Sequence, residues 1–102
     1  MPANPKIKRE TDKDYLKYIR RQPCFITSQK AEPHHTKTIG AGGSDYLAVP
    51  LTRFLHGVCG NMGIDSFQKK YEISFNKEII RLLIRYIKEL KHRKIVTDEL
   101  NC

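Results

Sequence analysis

A glycine-rich stretch, Gly40-Ala41-Gly42-Gly43, lies between two segments that favour extended backbone, and no other feature limits the fold as much. On its N-terminal side, Pro33 biases the residue before it away from helical dihedrals, so residues 31–37 are expected to be extended. On its C-terminal side, Tyr46 to Leu51 is apolar enough to return as a second strand. Two such runs about a glycine turn spanning residues 38–45 predict an antiparallel hairpin with a wide loop. Thr52 follows at once, a residue suited to cap a short helix from Arg53 to about Cys59, with Gly60 closing it.

Helices are expected on both sides of this unit. Thr11 to Asp14 has the spacing of a capping box, with Tyr15, Leu16 and Ile19 forming one apolar face before Pro23 ends the helix. Phe25 and Ile26 fit a short strand or a buried turn. Asp65 and Gln68 form a second capping pair, for a helix through Tyr71. Asn76 is placed to start the longest helix, whose stripe of Ile79, Ile80, Leu83, Ile84, Ile87 and Leu90 reads as core. The sharper alternative is a homodimer seam, because a small domain struggles to bury so much apolar surface alone. The class is therefore α+β, in one domain over residues 11–95, with a basic arm at 1–10 and a frayed tail at 96–102.

Charge narrows the function. Nineteen Lys and Arg against eleven acids give a net charge of +8, which favours a polyanionic partner. No apolar run is long enough to cross a bilayer, and the first residues lack the apolar core of a secretory leader. Three widely spaced cysteines, Cys24, Cys59 and Cys102, argue against a disulfide framework and for a reducing, cytoplasmic setting.

Chemistry concentrates at Glu32-Pro33-His34-His35-Thr36 and at Pro50-Leu51-Thr52-Arg53-Phe54-Leu55-His56. Adjacent imidazoles are poor core residues, because burial leaves polar ring nitrogens needing partners. They suit a site where one ring holds a metal and the other moves a proton. A strand sends successive side chains to opposite faces, so both rings reach one groove only if the strand twists or lies at an edge.

These segments carry a resemblance. Tyr-Leu-x-Tyr-Ile-Arg from Tyr15, Gln22-Pro23-Cys24, Glu32-Pro33-His34-His35-Thr36, Ser44-Asp45-Tyr46, Val49-Pro50-Leu51 and Ser66-Phe67-x-x-Lys70-Tyr71 together resemble the HNH endonuclease superfamily. The similarity is to members of the phage recombination-enhancement nuclease type, and it runs from Tyr15 through Tyr71. It implies a ββα-metal core: one hairpin and a short helix, flanked by an N-terminal helix and a long C-terminal one. By the same resemblance His34 and His56 would be metal ligands and His35 the general base. Asp45, or alternatively Ser44, would orient that base. A phage or prophage origin in a bacterial host is likewise implied.

Two departures from the family pattern stand out. The family's structural zinc knuckle would need Cys-x-x-Cys and Cys-x-x-His pairs, yet Cys24 pairs with Thr27 and Thr52 with Leu55, so no structural zinc is expected. The further histidine four residues after His56 is replaced by Gly60, leaving Cys59 as a substitute ligand. Imidazole ligands favour Mn²⁺, Ni²⁺ or Zn²⁺ over Mg²⁺. The expectation is a DNA endonuclease with one divalent ion acting on double-stranded DNA, with Arg53, Lys37, Arg20, Arg21, Lys69 and Lys70 on the backbone. The alternative is a catalytically degenerate module that binds DNA or protein.

Overall fold

The computed structural model describes residues 10–36 and 43–100, with side chains to residue 95. The expected basic arm up to Arg9, Lys37, and the turn through Gly42 lie outside the described residues. Among the described residues, four helices and one two-stranded antiparallel sheet make an α+β fold.

Helix α1 covers Lys13–Arg21. Its cap is Asp12 rather than Thr11: the Asp12 carboxylate accepts the Tyr15 amide at 2.9 Å. That places the cap one residue nearer Tyr15, Tyr18 and Ile19, all buried. The Phe25–Thr27 stretch is a turn, closed by the Ser28 amide donating to the Cys24 carbonyl at 2.8 Å.

Strand β1 is Glu32–His35 and strand β2 is Ala48–Leu51, in a register that sets His34 against Val49 and His35 against Ala48. The return strand starts later than Tyr46, because Asp45–Leu47 forms a 3-10 turn capped by Ser44. Every residue of β2 is buried, which explains its continuous apolar run. Helix α1 packs on both strands, while α2 and α4 both contact β2.

Helix α2 runs from Arg53 to Met62, a turn beyond the expected close at Gly60. The stop is Gly63, whose φ of 90° suits a residue without a Cβ. Thr52 caps it as expected, its hydroxyl accepting the Leu55 amide at 3.2 Å. Helix α3 is Ile64–Tyr71 and has no side-chain cap. Gln68 instead reaches forward: its Oε1 accepts the Phe75 amide at 2.8 Å, at the start of α4.

Helix α4 spans Phe75–Leu100. Ser74, not Asn76, caps it, accepting the Lys77 amide at 3.2 Å. It remains helical through residues 96–100, where a frayed tail was expected. Its inward face is Phe75, Ile79 and Leu82, each burial stabilising by about 1.5–3 kcal/mol. Ile80, Ile84, Ile87 and Leu90, read as core from their spacing, are exposed on another face. No helix among the described residues is long and apolar enough to cross a membrane.

Candidate active site

The strand's alternation does send the two histidines different ways, yet both border one cavity of about 550 Å³. His34 is 7% exposed and its ring meets that of His56 edge to face, with centroids 4.3 Å apart. His35 turns the other way, and its Nε2 lies 2.8 Å from Oδ1 of Asp45. Thr36, Cys59, Gly60, Gly63, Ile64 and Asp65 complete the wall.

Asp45 is buried and holds its place by a second contact: Oδ2 accepts the Asp12 amide at 2.8 Å. Asp12 in turn accepts from Tyr46 Oη at 2.7 Å and from the Tyr15 amide. These contacts hold the Asp12 carboxyl below its ordinary value, the Tyr15 amide first. A chain of hydrogen bonds thus runs from His35 to the start of α1. An ionised carboxylate only accepts, so His35 Nε2 carries the proton and Nδ1 keeps the basic lone pair. Of Asp45 and Ser44, it is Asp45 that lies within hydrogen-bond distance of His35. Ser44 Oγ accepts the Tyr46 amide at 3.1 Å instead.

His56 has an equivalent partner that sequence reasoning missed. Its Nδ1 lies 2.9 Å from Oε1 of Glu32, so Nδ1 is the donor and Nε2 keeps its lone pair. A carboxylate behind a ligating imidazole is the usual way of fixing its tautomer. The available signal was period two: Glu32 and His34 share one face of β1.

Both nitrogens of His34 are buried without a hydrogen-bond partner among the described residues. Burial, then the neighbouring His56 and His35, push its pKa down to about 4, so the ring is neutral at pH 7 and fit to ligate. With both His34 nitrogens unpartnered and the His56 ring alongside, these two imidazoles have the donor chemistry that would hold a divalent ion. Among the described residues no three His, Cys, Asp or Glu form a ligand group. Cys59 borders the cavity with its thiol raised above the ordinary value by burial.

A family model described as "Protein of unknown function (DUF968)" matches residues 2–89. The chain belongs to the DUF968 family. No curated protein and no solved structure matches it. In this DUF968 protein the positions where a zinc knuckle would sit have other work. Burial would raise the Cys24 thiol, but hydrogen bonds from Thr27, from the Ile26 amide and from the Thr52 amide bring it below its ordinary value. Thr52 caps α2, and Leu55 is a buried core residue.

Arg53 is exposed at the start of α2 and borders a small cavity with Glu32. Lys69 and Lys70 are exposed on α3, with the Lys70 ammonium 5.5 Å from the Tyr71 ring centroid. Asp65, expected as a helix cap, contributes a carboxylate to the cavity wall instead.

Proposed function

We propose that this DUF968 protein is a metal-dependent endonuclease of the HNH type, hydrolysing phosphodiester bonds of DNA. One observation carries the reading: His35, bonded to Asp45, and His34, packed on His56, both border a single cavity on a basic domain. Structural packing explains a buried histidine poorly when both its nitrogens lack partners, and such an orphan costs about 1–3 kcal/mol.

In this mechanism His35 Nδ1 takes a proton from water, a role worth typically ~10²–10⁴-fold. Asp45 keeps the ring in the tautomer that can do so and stabilises the imidazolium once formed. His34 and His56 would hold the ion, with Glu32 fixing the His56 tautomer. When bound, the ion supplies charge neutralisation at the phosphate and at the departing 3′ oxygen. Arg53 contributes a guanidinium to a flanking phosphate.

The test is nicking of supercoiled plasmid by purified protein with Mn²⁺ or Mg²⁺. Cutting that stops with EDTA and with His35→Ala supports the reading. Absence of cutting with every divalent ion tried rejects it.

A second reading has its own observation. With only two imidazoles in contact and Gly60 at the family's further ligand position, the site suits a degenerate module that binds DNA without cleaving. Salt-dependent DNA binding, indifferent to metal and to His35→Ala, is its signature.

A further inference from the structure

Away from the histidines, a groove of about 510 Å³ runs between α1 and α4. Lys17, Arg20 and Arg21 line it from α1, and Tyr86, Leu90 and Arg93 from α4. The three α1 cations sit at i, i+3 and i+4 and so share a helix face. Tyr86, Leu90 and Arg93, at i, i+4 and i+7, share another. Asp14 is the single acid on the wall.

Other cations of the domain have local work. Arg81 pairs with Glu78 and Lys70 lies over Tyr71, while within the groove Arg93 meets Glu89 at 3.3 Å. Among the described residues, Lys17, Arg20 and Arg21 form no ion pair. The negative end of α1 accounts for Arg20 and Arg21 in its last turn, but not for Lys17 or for an arginine from a separate helix.

The floor matters as much as the rim. Tyr86 and Leu90 set an aromatic ring and an aliphatic side chain among the cations, and the Tyr86 ring is braced edge-on against Tyr15 at 4.9 Å. Cations with an apolar, aromatic floor are what an unpaired strand needs, because its bases have free faces. A duplex stacks those faces away and offers its backbone and groove edges instead. The groove also lies within one helix length of the dyad. Asp12, bonded to Asp45, precedes Lys17 by about 7.5 Å and Arg21 by about 13 Å of helix.

We propose that the α1–α4 groove is a second binding site, which holds an unpaired nucleic-acid strand at a distance from the cavity beside His34 and His35. The identity of the polyanion rests on the nuclease reading; the location and the strand form rest on the groove.

The experiment is fluorescence anisotropy with a labelled 20-nucleotide DNA strand and its duplex, in EDTA, over a salt series. The groove variant is Lys17→Glu with Arg20→Glu and Arg21→Glu, and the comparator is Lys77→Glu with Lys88→Glu, two exposed α4 cations outside the groove wall. The inference expects wild type to favour the strand over the duplex. It expects the groove variant to lose about 100-fold in strand affinity, with the salt slope falling by about 2, three contacts at ~0.7 each. The comparator should change less than about threefold. Arg20→Gln with Arg21→Gln, a milder pair for use if the triple variant fails to fold, should lower the slope by about 1.4. Unchanged affinity and slope in that pair, or a duplex bound as tightly as the strand, overturns the inference. A protein that nicks plasmid while its groove variants bind normally loses this inference and keeps its nuclease reading. A protein that binds strand through the groove but cuts nothing does the reverse.

Discussion

Asp45→Asn is the sharpest single perturbation of the dyad, because it preserves shape and removes one acceptor. Two atoms of Asp45 accept at once: Oδ1 from His35 Nε2 at 2.8 Å, and Oδ2 from the Asp12 amide at 2.8 Å. Asparagine has one acceptor oxygen and one donor group, so it satisfies only one of these contacts. If the oxygen faces Asp12, the amide group faces His35 and forces the proton onto Nδ1, the nitrogen needed as base. Activity then falls by ~10²–10⁴-fold, the usual worth of general-base catalysis. If the oxygen faces His35, the Asp12 amide meets a donor at the start of α1, costing about 1–3 kcal/mol. For a domain of this size that is a melting-temperature drop of roughly 4–8 °C per kcal/mol. Initial rates of plasmid nicking and thermal melts by circular dichroism read both outcomes on one preparation. An Asp45→Asn protein with wild-type rate and wild-type melting temperature would refute the reasoning.

Further outcomes follow from the same geometry. Glu32→Gln should weaken divalent-metal affinity by about 10–100-fold in a calorimetric titration, since it loosens the His56 tautomer. Gly60→His has room, because a Cβ at Gly60 meets nothing within 4 Å. One helical turn after His56, it should tighten metal binding at least ~10-fold over a Gly60→Ala control, and unchanged affinity would count against an ion at His56. Folding stability should fall with acid: His34 drops from an ordinary 6.5 to about 4 on folding, so the unfolded chain binds more protons between those values. Stability is full above about pH 6.5 and decreases by at most about 3 kcal/mol towards pH 4. Urea melts of metal-free protein should show this, and His34→Gln should flatten it. Ser74→Ala should cost ~1 kcal/mol as loss of the α4 cap, while Asn76→Ala stays within about 0.5 kcal/mol.

Much of the site was legible because strand period and helix caps are local. Pro33, the glycines and Thr52 placed a hairpin before a short helix, and the structure puts His34 beside His56. Glu32 shares a strand face with His34, but its contact with His56 spans 24 residues of chain, which no local pattern carries. Helix starts were misread by one or two residues at α1 and α4, where Asp12 and Ser74 are the caps rather than Thr11 and Asn76. Gln68 has the spacing of a box with Asp65, but its side chain serves α4. The face of α4 was legible only in part: Ile79 is buried as expected and Leu83 packs against the core. With Ile79, Ile80, Leu82, Leu83 and Ile84 nearly consecutive, the helix is apolar on more than one side, and only packing on β2 selects Phe75, Ile79 and Leu82 for the core. The α1–α4 groove joins Lys17 to Arg93 across most of the chain, a tertiary fact that no local pattern carries.

Calorimetric titration of the purified protein with Mn²⁺ and Ni²⁺ addresses the heart of the account. One ion per chain is expected, abolished by His34→Ala and by His56→Ala, and retained by His35→Ala. Binding that survives loss of both His34 and His56, or no binding at millimolar metal, would contradict it.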